Sequence, residues 1–238
     1  MWNRSELKSN AKLALKANYW KAVLVGLILS FILGSGSTAA QNSARSSTDG
    51  LTDIDPVMVF TVIGIILAAV FVAMVISILL SIFIWNPLEV GCQKFFINCK
   101  YGNAELGDIA YGFKNGYAHI GMIMFLRGLF TGLWMLLFII PGIVKSYEYM
   151  MIPYLLAEHP EMTRQEAFAE SKQMMDGNKW DAFVLDLSFI GWTLLGVCTF
   201  GILLVFYVEP YIYLTRAELY HALKNLSLIH ISEPTRPY

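Results

Sequence analysis

Between Val57 and Trp85 the chain carries 29 consecutive residues without a charged side chain. As a helix rising 1.5 Å per residue, that run reaches roughly 43 Å. The hydrocarbon core of a bilayer is only about 30 Å thick. A helix apolar on every face for that length has no place in a water-soluble domain, so the pattern puts the chain in a membrane. Apolar and polar stretches alternate on either side of the run. They predict an all-α, polytopic transmembrane helix bundle of about six spans, with proline-broken helices and cytoplasmic amphipathic helices. The spans fall roughly at 19–40, 57–85, 120–140, 143–157, 181–198 and 202–216, within one membrane domain over 1–225.

Local signals set the boundaries. Asn3 with Glu6 three residues later is a capping-box start for a helix running toward the membrane. Leu7, Ala11, Ala14 and Asn18 share one stripe of that helix, and Arg4, Lys8, Lys12 and Lys16 share another. Such a helix either lies on an anionic leaflet or is a solvated leader whose lysines set topology. Its basic region is too long for a signal peptide, and further apolar segments follow, so the first span is expected to be retained. Gly34 to Asp55 is polar and reads as an exposed loop, and Asp55-Pro56 is a helix start. Residues 86–118 carry Glu89, Lys94, Lys100, Asp108 and Lys114 and are expected to return the chain to water. The third span is expected to stop and reverse at Pro141-Gly142. Thr163 with Glu166 predicts a capped amphipathic helix ending near Gly177. Residues 226–238 resemble the translation of a sequencing adapter and are set aside as a non-native tail.

Composition agrees with the pattern: 56% of residues are hydrophobic and 15% charged, against about 25% charged in soluble domains. Threaded through six spans from a cytoplasmic N-terminus, all Lys and Arg except Arg45, Lys145, Arg127 and Arg236 fall on the cytoplasmic side. That asymmetry is the positive-inside rule, and it predicts both termini in the cytoplasm. Cys92, Cys99 and Cys198 form no Cys-x-x-Cys pair, and the histidines have no partner at ligand spacing, so free thiols and no metal are expected. No phosphate loop, nucleophile elbow or dinucleotide fingerprint is present, and no cofactor is expected. The basic residues are too thinly spread for nucleic acid.

Met1-Trp2-x-Arg4-Ser5-Glu6-Leu7-Lys8, Ala11-Lys12 and Asn18-Tyr19-Trp20-Lys21 resemble the opening of a bacterial multi-pass family known as domain of unknown function 975. Ile140-Pro141-Gly142-Ile143, Pro153-Tyr154, Ser171, and Met174 followed by Gly177-Asn178-Lys179-Trp180 continue the resemblance. Ser188-Phe189-Ile190-Gly191-Trp192 and Pro210-Tyr211 complete it. The resemblance implies an integral membrane protein with no established activity, and it carries no catalytic residues over.

Charges within spans are costly and so are candidate functional groups. Arg127, Asp186 and Glu209 each lie six or seven residues from the inner end of a span, roughly 10 Å deep. The expectation is that Arg127 meets Asp186, Glu209 or both, either to hold helices in register or to form a site. A second candidate is a broken-helix site of Lys145, Glu148, Pro153 and Pro210. Each proline frees the carbonyl four residues earlier, Tyr149 and Phe206, among tyrosines and carboxylates. Ordinary proline kinks give the same pattern, and Lys145 with Glu148 is an i,i+3 pair that neutralises itself.

Two functions follow as expectations. One is a non-enzymatic organiser or regulator of anionic inner-leaflet lipids or a membrane protein partner. The other is a small secondary transporter, or an ion- or proton-coupled carrier, using the intramembrane charges.

Overall fold

In the computed structural model, residues 2–42 and 56–232 are described, and every regular element among them is helical. Helix α1 spans Arg4–Ala17, α2 Tyr19–Asn42, α3 Pro56–Leu80 and α4 Asn86–Cys99. Then come α5 (Tyr111–Lys114), α6 (Tyr117–Leu137), α7 (Ile139–Glu148), α8 (Ile152–Glu158) and α9 (Arg164–Met175). Helices α10 (Lys179–Leu187), α11 (Ile190–Cys198) and α12 (Glu209–Ser232) complete the order. Most of the expected 34–55 loop, with the Asp55 cap, lies outside the described residues. So does the tail beyond Ser232.

The molecule has two parts. A base is built from α1, α4, α8, α9 and α12, joined by the first halves of α6 and α10. Its core holds Phe95, Phe96, Ile152, Leu155, Leu156, Leu219 and Tyr220, all essentially inaccessible. From the base rises a crown of apolar helix whose side chains are exposed: α3, the α6–α7 hairpin around Phe138, and α11 with its return at Phe200. Among the described residues, three helices are long and apolar enough to cross a membrane, Phe60–Cys99, Tyr117–Leu137 and Lys179–Cys198. The bent pair α1–α2 makes a fourth if counted as one span. This is fewer than the six expected from the sequence.

The sequence places 86–118 in water, yet α4 continues directly from α3 through a π-helical turn at Ser81–Trp85 and is largely buried. Pro87 has no N–H to give the Phe83 carbonyl, and the Asn86 N–H instead reaches back to Ser81 O. The same device recurs at Leu204–Val208, where Pro210 follows and the Glu209 N–H bonds to Leu204 O. Pro153 does not break a helix interior. It sits in the first turn of α8, where a missing N–H costs nothing. Nor does the chain reverse at Pro141-Gly142. It turns at Phe138, and Pro141 lies in the first turn of α7. Gly142 permits the hairpin to close, because a Cβ there would lie 2.6 Å from the Met135 Cα.

Helix α1 is bent by 107° from the start of α2. Asn3 accepts from the Ser5 N–H at its start. Its stripe Leu7, Ala11 and Leu15 is buried and packs along α12, so this apolar face meets protein. The Thr163–Glu166 capping box of α9 is formed in both directions, with Thr163 N–H donating to Glu166 at 2.9 Å.

Candidate functional site: ion pairs around a buried tyrosine

The expected meeting of Arg127 with Asp186 or Glu209 does not occur. Arg127 on α6 donates to Glu89 on α4 at 2.9 Å. Asp186 on α10 instead accepts two bonds from Arg216 on α12, at 3.0 and 3.3 Å. The Tyr147 hydroxyl adds a third at 3.1 Å. Glu209 interacts with Tyr213 beside Ser30 of α2. Equal depth along separate helices says nothing about their rotation, and rotation decides which side chains face one another. The two pairs nevertheless belong together. Both act electrostatically on the fully buried Tyr154 of α8, which lies among Arg216, Glu89, Arg127 and Asp186. Two helix pairs, α4 with α6 and α10 with α12, are thereby each held by an ion pair that acts on one phenol.

The broken-helix candidates divide. Lys145 and Glu148 do pair, at 2.8 Å, but the other Glu148 oxygen accepts from Lys179 at 3.0 Å. Ser171 of α9 donates to the Glu148 backbone carbonyl at 2.7 Å. One buried carboxylate thus ties α7 to α10, and its carbonyl to α9. Six-span threading puts Lys145 on the outer side and Lys179 on the inner. Sharing one carboxylate puts them on the same side. Pro153 and Pro210 are apart from this cluster in role: Pro153 is buried in the first turn of α8, and Pro210 packs on Gly26 of α2.

A third cluster lies in the base. Glu158 accepts from Tyr220 at 2.6 Å and from Lys224. Burial works against its charged form, but those two donors outweigh it and hold the carboxyl below its ordinary pKa. Lys100 pairs with Glu218 at 3.1 Å nearby. Cys92 and Cys99 are free and buried, whereas Cys198 is free and exposed. Among the described residues, no group of three or more His, Cys, Asp and Glu side chains gathers as a metal site.

Sequence reasoning missed Glu89 and Arg216. Glu89 falls in the charged stretch that reads as returning to water, although no glycine or polar loop separates it from the uncharged run, and Arg216 reads only as the inner end of a span. The usable signal is that Glu89 and Arg216, each within two helical turns after Pro87 or Pro210, supply a second acid and a second arginine for Arg127 and Asp186.

Residues 114–227 match the family model described as Protein of unknown function (DUF975). Over that stretch the chain is similar to the DUF975 family. The DUF975 match starts at the end of α5 and runs into α12, so it contains Arg127, Lys145, Glu148, Asp186 and Arg216 but not Glu89. The N-terminal motifs that resemble the family lie before it. No curated protein and no solved structure matches the chain.

Proposed function

We propose that this protein is an integral membrane protein of the bacterial plasma membrane. In this reading its base lies at the cytoplasmic face, with both termini there, and acts as a non-enzymatic organiser or regulator of anionic lipids or a membrane protein partner. One observation carries it. The charges on the inner elements are spent on one another, tying α4 to α6, α10 to α12 and α7 to α10. By contrast, Arg4, Lys12 and Lys16 stay exposed on α1, next to the crown. A positive surface beside a lipid-facing part fits an anionic leaflet. The test is mild purification from native membranes of the wild type and of an Arg4→Gln/Lys12→Gln/Lys16→Gln variant, with bound lipids and proteins identified by mass spectrometry. Enrichment of anionic lipid or of one partner, lost in the variant, is the expected result. An unchanged set overturns the reading.

A carrier is the second reading, favoured by the two π-turns that border the ion pairs around Tyr154, since such turns recur at functional sites. It requires flux in proteoliposomes that Asp186→Asn or Glu209→Gln abolishes while folding is retained.

A further inference from the structure

We infer that the α6–α7 and α11–α12 hairpins are half-depth wedges that enter only the leaflet next to the base, whereas α3 crosses the whole bilayer. This rests on the membrane reading above and specifies which part of the lipid each crown element meets: the acyl chains of one leaflet.

Two polar helices mark the water level on the hairpins. Phe130 of α6 packs its ring on Phe168 of α9, centroids 5.8 Å apart. Helix α9 is a polar helix with Arg164, Gln165, Glu166, Lys172 and Gln173 exposed. Beyond Phe130 only Thr131–Leu137 remain before the turn, about 10 Å of helix. Phe189, at the break between α10 and α11, lies under the Lys8 ammonium of α1 at 4.3 Å. Beyond it α11 has nine residues, Ile190–Cys198, about 13 Å. Half of the hydrocarbon core is about 15 Å. Both hairpins end within that half-thickness.

The return legs are equally short. From Phe138 only Ile139–Val144 precede Lys145, whose ammonium is bound to the carboxylate that also holds Lys179. From Gly201 only Ile202–Val208 precede Glu209. A crossing needs about 20 apolar residues on each leg. The tips carry no charge and are among the most exposed apolar residues of the molecule, with Leu136 86% and Phe200 98% accessible. The two feet are joined, because Tyr147 at the base of α7 bonds Asp186 on α10. By contrast, α3 has 25 residues, about 37 Å, and leaves the base only at Leu80. Wedges confined to one leaflet add cross-section to that leaflet alone.

The chain supplies its own probe. Cys198 is exposed one turn from the α11 tip, while Cys92 and Cys99 are buried. A fluorophore on Cys198, or on Phe138→Cys in a Cys198→Ser background, is read in proteoliposomes against lipids carrying a nitroxide near the headgroup or near the chain end. Phe60→Cys and Val70→Cys on α3 calibrate a full crossing as shallow and deep. Both tips should be quenched about twofold more by the deep nitroxide, as Val70→Cys is, since the midplane lies about 15 Å from either surface. Stronger quenching by the shallow nitroxide, as at Phe60→Cys, overturns the half-depth geometry and leaves the membrane reading intact. Absence of lipid quenching at every position, α3 included, overturns both.

Discussion

Helices α3 and α4 are two halves of one uninterrupted run, and they are built on opposite rules. From Phe60 to Leu80 every residue is apolar, small or hydroxylic, and all are exposed. From Asn86 to Cys99 the run includes Asn86, Glu89 and Gln93, and these polar side chains are buried. In a water-soluble protein the assignment would be reversed. In the membrane reading proposed above, lipid accepts apolar side chains without cost, so hydrophobicity alone does not draw α3 into the protein. Two of these groups find partners inside: Asn86 donates to the Gly121 carbonyl at 3.1 Å and Glu89 accepts from Arg127. Burial in this chain therefore follows the need for polar partners and tight backbone approach as much as greasiness.

Three sets of substitutions test how this base is held together. The largest effect is expected from glycine. A Cβ at Gly91 of α4 would sit 1.9 Å from the Ile109 carbonyl oxygen, whereas one at Gly64 of α3 meets nothing within 4 Å. Gly91→Ala should cost about 3 kcal/mol or more by forcing backbone apart, and Gly64→Ala should leave the melting temperature in detergent unchanged. Equal effects at the two sites would end the distinction between base and crown.

Next comes the Glu89–Arg127 pair. Removing either partner alone strands a charge that is mostly shielded from water, and Arg127→Leu or Glu89→Leu should each lower stability by about 3 kcal/mol. The double variant should recover most of that loss, because an apolar pair replaces an ionic one without leaving an orphan. A double variant as unstable as the sum of the singles would mean that the two residues act separately.

The smallest effect concerns pH. Glu158 has its carboxyl held below the ordinary value in the folded state, so it contributes stability above its unfolded pKa. That contribution fades as pH falls through the acidic range toward the lowered folded-state pKa. Tyr220→Phe removes one of the donors and should flatten the fall in melting temperature between neutral and acidic pH. An unaltered slope would show that the Tyr220 bond does not set it.

Much of the architecture was legible along the chain. The all-helical class follows from the long apolar runs and their caps, and it agrees with the membrane reading, in which backbone groups must bond within a segment. The Thr163–Glu166 cap, the α1 stripe of Leu7 and Ala11, and the i,i+3 contact of Lys145 with Glu148 are local, and spacing alone fixes them. The six-span count was not legible. It treated each apolar stretch as a crossing, but Ile120, Ile123 and Ala182 lie in stretches of that kind and are buried in the base.

What the sequence determined by itself is therefore short-range: which segments are helical, where caps and proline turns fall, and which side chains share a helix face. Those properties depend on backbone geometry within a few residues. Tertiary packing alone decided that Arg127 faces Glu89, that Asp186 faces Arg216, and that Lys145 and Lys179 hold the same carboxylate. Helix rotation and crossing are set by contacts dozens of residues apart in the chain, such as Gly121 of α6 against Ile82 of the first π-turn and Gly26 of α2 against Pro210 of α12. No spacing rule along one helix carries that information, because it exists only once two helices touch.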